Sequence, residues 1–166
     1  MATITLKGNE IHTNGELPKV GTQIHQFNLV KPDLSELCSC ELKGKKVILN
    51  IFPSLDTAVC ATSVRKFNAE AAKLENVVVC CISKDLPFAA GRFCTVEGLN
   101  NVVALSGFRD CEFGEETGVN IVDGPLKGLY ARSIIVLDEE GVVQYEELVP
   151  EITQEPDYKA ALDALK

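Results

Sequence analysis

The run Val47-Ile48-Leu49-Asn50-Ile51-Phe52 is the feature that most constrains the fold. It is apolar at every position but Asn50, so neither face of it suits water. A strand of this kind is buried on both sides, as in a parallel sheet covered by helices. Val77-Val78-Val79-Cys80-Cys81-Ile82 repeats the pattern, and Val102-Val103-Ala104-Leu105 reads as a third strand. After Pro53, the residues Val64, Phe67, Ala71 and Leu74 recur at helical spacing. Asp56 or Thr57 is placed to cap that helix, since either side chain can accept an exposed backbone N–H. A short helix is expected over residues 88–96, ending at Gly98. Two successive β-α-β units predict an α/β core with right-handed crossovers.

The flanks read differently. Ile4, Leu6 and Ile11 surround Gly8-Asn9, which predicts an N-terminal hairpin. Residues 15–19 and 31–33 are loop-like. Residues 133–137 and 142–145 flank Asp138-Glu139-Glu140-Gly141, the pattern of an antiparallel hairpin. A last helix is expected over 158–165, after Pro156. This order predicts a thioredoxin-like α/β fold: a central mixed sheet flanked by helices, with an extra N-terminal β-hairpin. At 166 residues and 46% apolar, the chain suits one domain spanning 1–166.

A net charge of −8 argues against binding nucleic acid, because little here would displace counterions from a phosphate backbone. No apolar stretch is long enough to span a membrane as a helix. The start Met1-Ala2-Thr3-Ile4-Thr5-Leu6-Lys7 has neither the basic head nor the apolar run of a signal peptide. A cytoplasmic location is therefore expected, where thiols are kept reduced. In that setting the seven cysteines point to catalysis, metal binding or packing rather than to a disulfide framework.

Cys60 follows a buried strand and falls in the first turn of a helix. The reactive form of cysteine is the thiolate, and the positive end of a helix dipole favours it. A random cysteine is more often a small buried hydrophobe; here the position, Pro53 and Thr57 favour chemistry. The Thr57 hydroxyl reads either as a helix cap or as a hydrogen-bond donor to a thiolate or a bound peroxide. Cys94, in the short second helix, reads as core or as a redox partner that would have to reach Cys60. Cys80 and Cys81 are adjacent in a strand, face opposite ways and read as core. Cys38 and Cys40 form a C-x-C pair without the second pair that a zinc site needs. Cys111 reads as packing or surface. His12 and His25 have no ligand partners nearby in sequence, so no metal site is expected. Arg65 and Lys66 fit a solvated helix face. Arg132 opens a hairpin strand, where a guanidinium could stabilise a thiolate.

Taken together, these residues resemble the peroxiredoxin family. Pro53-x-x-x-Thr57-x-x-Cys60 matches its active-site signature. The resemblance is closer still to the thiol peroxidase branch, the atypical two-cysteine peroxiredoxins. It extends through Asn50-Ile51-Phe52-Pro53-Ser54, Ser63-Val64-Arg65-Lys66-Phe67-Asn68, Asp85-Leu86-Pro87-Phe88 and Arg92-Phe93-Cys94. It continues in Glu97-Gly98-Leu99-Asn100-Asn101, Asp123-Gly124-Pro125-Leu126-Lys127-Gly128-Leu129, Ala131-Arg132 and Glu155-Pro156-Asp157-Tyr158. The resemblance implies that Cys60 is the peroxidatic cysteine and Cys94 the resolving one. It implies that Thr57 and Arg132 activate peroxide and thiolate, and that Pro53 shields the site. It further implies a homodimer, hydrogen peroxide or organic hydroperoxides as substrate, thioredoxin as electron donor, and no cofactor. Ala58 stands where that branch often has glycine. Cys38, Cys40, Cys80 and Cys111 are additional to its usual cysteines.

Other functions fit less well. A thiol–disulfide oxidoreductase wants C-x-x-C at the helix start, and Cys60 is followed by Ala61-Thr62-Ser63. Cys60 to Arg65 is one residue short of the cysteine-phosphatase cradle and contains no glycine. A redox sensor using the same cysteine pair remains compatible as an additional role.

Overall fold

A computed structural model describes residues 1–166. Strands β1 (Thr3–Leu6) and β2 (Asn9–His12) form the antiparallel N-terminal hairpin. β3 (Asn28–Val30) and β4 (Glu36–Cys38) follow, then a 3-10 turn at Ser39–Leu42. The central succession is β5 (Lys46–Ile51), α1 (Ala58–Ala71), β6 (Val77–Ser83), α2 (Pro87–Glu97) and β7 (Val103–Ser106). α3 (Phe113–Thr117), β8 (Ser133–Leu137), β9 (Val143–Leu148) and α4 (Tyr158–Asp163) complete the chain.

Seven strands form one mixed sheet in the order β4-β3-β7-β6-β5-β8-β9. β5 pairs in parallel with β6, and β6 with β7, as the two apolar runs require. β8 pairs antiparallel with β5 on its other side and with β9 in a hairpin. The thioredoxin-like mixed sheet flanked by helices, with its small extra hairpin, is therefore present. α2 ends where the sequence places its stop, with Gly98 at φ +66°, a left-handed conformation that glycine adopts without a Cβ clash.

Strand alternation divides the core. Leu49, Ile51, Cys80, Ile82, Leu105 and Ile135 pack on one face, against Leu17, Phe27, Phe113 and Tyr130. Ile48, Phe52, Val79, Cys81, Ile134 and Val136 pack on the other, with Val64 and Phe67 of α1, Ala90 of α2 and Ala161 of α4. Cys80 and Cys81 thus lie on opposite faces, both buried, as their adjacency dictates. Each buried aliphatic side chain contributes about 1.5–3 kcal/mol.

The polar interruption in β5 has a purpose. Asn50 is fully buried and donates through Nδ2 to Ser63 Oγ on α1 at 3.2 Å. Ser63 Oγ in turn donates to the carbonyl of Cys60 at 2.7 Å. The strand therefore holds the first turn of the helix through two hydrogen bonds as well as through apolar contact.

Candidate active site

The site is built where β5 ends. Phe52 still donates its N–H to Ile82 O at 3.0 Å, but Pro53 has no N–H and the ladder stops. Pro53 is buried. The turn that follows is anchored by Asp85, which lies just beyond β6. Its carboxylate accepts hydrogen bonds from Ser54 Oγ, Leu55 N and Ser83 Oγ, each at 2.7 Å. The Ser106 hydroxyl at the end of β7 donates to the Asp85 carbonyl. Asp85 thus ties the loop before the helix to the ends of two parallel strands. It has no sequence signal of its own beyond falling in a family-like motif.

Thr57 occupies the N-cap position of α1, but its side chain does not cap the helix. Thr57 Oγ1 donates to Ser54 O at 3.0 Å, and Thr57 N donates to the same carbonyl at 3.2 Å. This corrects the expectation that Asp56 or Thr57 caps the helix. The hydroxyl is turned back into the preceding turn, and Asp56 is exposed. The N–H groups of the first turn carry no side-chain cap, so their partial positive charge is not offset there.

Cys60 lies in that first turn with no exposed surface. Arg132, one residue before β8 and only 3% exposed, approaches from the sheet. Its Nη1 donates to Cys60 Sγ at 3.2 Å, and its Nε donates to Ile152 O at 2.9 Å. The second bond fixes the guanidinium plane and orients the first. An always-charged guanidinium with one edge on a carbonyl and the other on a buried sulfur stabilises negative charge on that sulfur.

A second ring of residues surrounds this pair. Tyr158 of α4 packs edge-on against Phe67, with ring centroids 5.3 Å apart, and Lys66 Nζ lies 4.8 Å from the Tyr158 ring centroid. Glu155 accepts from Tyr158 Oη at 3.0 Å and pairs with Lys66 at 3.2 Å. These two partners hold its carboxyl below the usual range. Burial pushes the Tyr158 phenol up, and Glu155 beside it adds to the shift; the charges of Arg132 and Cys60 also reach it, with opposite effects. Lys66 is exposed, as expected of a solvated helix face, and also borders this ring of residues.

Cys94 lies on α2, half-buried, and packs against the same apolar cluster that contains Cys60. Burial pushes its thiol up. Both cysteines are free thiols. Arg65 of α1 holds Glu97 of α2 through two hydrogen bonds, at 2.9 and 2.8 Å, and so links the two helices at the surface. Burial pushes the Cys80 thiol up to about 12 and the Cys81 thiol higher still, which suits inert core positions.

The remaining candidates lie elsewhere. Cys111 is exposed. Cys38 and Cys40 are joined in a disulfide, where the sequence suggested reduced thiols. His12 pairs with Asp123 at 2.6 Å and Glu10 at 3.0 Å, and His25 with Glu116 at 3.3 Å. No three His, Cys, Asp or Glu side chains converge as a metal site. No helix is long and apolar enough to cross a membrane.

A family model described as Redoxin matches residues 19–162. The chain belongs to the Redoxin family. Among curated proteins it is 59% identical to a thiol peroxidase of Corynebacterium glutamicum over 165 residues, 99% of each chain. It is 57% identical to a thiol peroxidase of Mycobacterium tuberculosis, again over 99% of each. Among solved structures, a peroxiredoxin-like protein from Aquifex aeolicus matches with a TM-score of 0.92 and 41% identity, covering 98% of this chain and 95% of that one. The thioredoxin-like fold and the peroxiredoxin resemblance both rest on these full-length matches.

Proposed function

We propose that this Redoxin-family chain is a thiol peroxidase in which Cys60 reduces hydrogen peroxide or an organic hydroperoxide. The observation that carries the reading is the buried contact of Arg132 Nη1 with Cys60 Sγ at 3.2 Å, at the start of α1. The Cys60 thiolate attacks one peroxide oxygen. An S–O bond forms, the O–O bond breaks, and the other oxygen leaves as water or alcohol after taking a proton. Arg132 and the first-turn N–H groups stabilise the charge on the separating oxygens, the Thr57 hydroxyl joins them once it releases Ser54 O, and Pro53 keeps bulk water from the sulfur.

Cys60 is left as a sulfenic acid. Cys94 condenses with it, releasing water and forming a Cys60–Cys94 disulfide. The dithiol of thioredoxin then reduces that disulfide by exchange. Disulfide formation requires the Cα atoms to come within about 7 Å; where the helices hold them further apart, local unwinding precedes it. The reading includes a homodimer in the cytoplasm, with residues 1–166 acting as one unit.

One equivalent of peroxide added to the reduced chain should give an intact-mass loss of about 2 Da per disulfide formed. Peptide mapping should link Cys60 to Cys94. Peroxide consumption that survives Cys60→Ser would refute the assignment, and a different partner for Cys60 would refute the resolving step alone.

A further inference from the structure

Two cysteines that the peroxide chemistry does not use are already joined. Cys38 closes the edge strand β4 and Cys40 lies in the 3-10 turn after it. They form a disulfide with their Cα atoms 5.2 Å apart. The turn has supports besides the S–S bond. Cys38 N donates to the Glu41 carboxylate at 2.8 Å, Ser39 N to Phe27 O at 2.8 Å, and Phe27 N to Ser39 Oγ at 3.0 Å. After reduction, these bonds would still hold the two sulfurs within reach of each other.

The sulfurs are not equivalent. Cys40 is exposed and Cys38 half-buried, and Cys40 N–H donates to Cys38 Sγ at 3.2 Å. Cys40 also borders a cleft of about 200 Å³. Its lining mixes the apolar Ile24 and Phe27 with Lys43, Gln23 and the acidic Asp138 and Glu140. Cationic, amide and carboxylate groups together suit a ligand that itself carries both carboxylate and ammonium groups. The same cleft includes Val47, near the start of β5. Cys60 follows the opposite end of that strand, among the apolar residues of the other sheet face.

We propose that Cys38–Cys40 is a second redox centre, separate from Cys60, that exchanges with a zwitterionic low-molecular-weight thiol and its disulfide. The small thiolate attacks the exposed Cys40 Sγ. A mixed disulfide forms there, the Cys38–Cys40 bond breaks, and the electron pair leaves on Cys38 Sγ, where the Cys40 N–H receives it; solvent then supplies the proton. A second small thiolate attacks the sulfur of the bound one and releases Cys40 as a thiolate. The chain gains two thiols, and two small thiols leave as one disulfide. The reverse reaction uses that small disulfide as oxidant.

The test equilibrates the full chain in glutathione and glutathione disulfide at ratios from reducing to oxidising, followed by acid quenching, alkylation and peptide mass analysis. The peptide holding both cysteines should titrate from dithiol to disulfide within that range. Cys38→Ser should acquire glutathione on Cys40 about tenfold faster than Cys40→Ser acquires it on Cys38, following exposure. Glutathione should reduce the pair several-fold faster than 2-mercaptoethanol at equal thiolate concentration. Peroxide consumption should stay within about twofold of the parent in both variants. A pair locked in one state at every ratio would overturn the redox centre. Equal adduct rates would overturn the direction of attack, equal rates for the two thiols the role of the cleft, and lost peroxide turnover the separation from Cys60.

Discussion

The two helices that carry Cys60 and Cys94 are held very differently. α1 buries Cys60, Ala61, Ser63, Val64 and Phe67, and its first turn is tied to β5 through Ser63 and Asn50. α2 buries only Pro87 and Ala90, and leaves Phe88 67% and Val96 78% exposed. Cys60, the proposed nucleophile, therefore sits in a buried setting beside the Arg132 guanidinium, which suits an attacking sulfur. Its proposed partner sits on a helix with few apolar contacts to lose, and segments of that kind open at low cost. On this comparison, any movement that joins the two sulfurs falls mainly on α2.

The largest effect should come from the rigid side. Arg132→Met removes the only guanidinium on Cys60 and leaves the Ile152 carbonyl without its partner. The kcat/KM for peroxide should fall about 10²–10³-fold, the magnitude seen when one preorganised donor is lost. Arg132→Lys should recover little of it, since an ammonium cannot make both bonds with one plane. Stopped-flow peroxide consumption checks both variants. Near-parent rates in Arg132→Met would mean that the rigid setting of Cys60 has no catalytic purpose.

Asp85→Ala should come next. The carboxylate accepts two hydrogen bonds from the loop between Pro53 and Thr57 and a third from Ser83 at the end of β6. Its loss should cost about 2–4 kcal/mol of stability, read by denaturant unfolding. Peroxide kcat/KM should fall about tenfold as Thr57 loses its position. If stability falls while kcat/KM stays at the parent value, the loop is a structural strut and not part of the chemistry.

The sequence made some of these arrangements legible and hid others. The parallel strands were readable because a strand buried on both faces must be apolar almost throughout, and Gly98 marked the end of α2. β3, β4 and α3 carry no such pattern, since three to five residues are too few to show a period. β3 is placed by pairing with β7 and β4 by pairing with β3, while α3 is placed by packing of its Phe113 against Phe27 and Tyr130. The place of Cys60 after β5 made it a candidate, but a packing role stayed open until the family resemblance assigned it the peroxidatic one. Its contact with Arg132 joins residues far apart in sequence and had to come from the family resemblance. Asp85, Glu155 and Tyr158 were visible only as parts of motifs, because their roles depend on groups that folding brings to them. The failure of Thr57 as a cap was hidden too, since spacing cannot tell which way a hydroxyl turns.

A smaller effect tests the loose side directly. Amides of α2 should exchange with solvent about 10–100-fold faster than those of α1, as hydrogen exchange with mass detection would show. Glu97→Gln weakens the one ionic link from α1 to α2, an exposed and solvent-screened pair. α2 exchange and Cys60–Cys94 disulfide formation should then rise by no more than about fivefold, with the first peroxide step unchanged. Equal exchange in the two helices would break the comparison.

The smallest expected effect lies outside both helices, where the N-terminal hairpin meets residue 123. Asp123 accepts from His12 N–H at 2.8 Å and pairs with the imidazole at 2.6 Å. That pairing, with help from Glu10, raises the His12 pKa, and the same pairing lowers that of Asp123. The folded chain therefore binds the His12 proton more tightly than the unfolded chain does. The contribution of the charged pair is complete below the ordinary histidine value of about 6.5 and is lost as pH rises through the higher folded value. On the acid side it persists until Asp123 protonates, below the usual carboxylate range. Asp123→Asn should return the His12 titration, followed by NMR, toward about 6.5. The first peroxide step at Cys60 should not change in this variant, because the hairpin packs in its own small cluster around Ile4, Ile11 and Ile121. If that step followed the His12 titration, the rigid setting of Cys60 would have to extend through Ala131 and Ile152, which share the hairpin cluster and flank or bond Arg132.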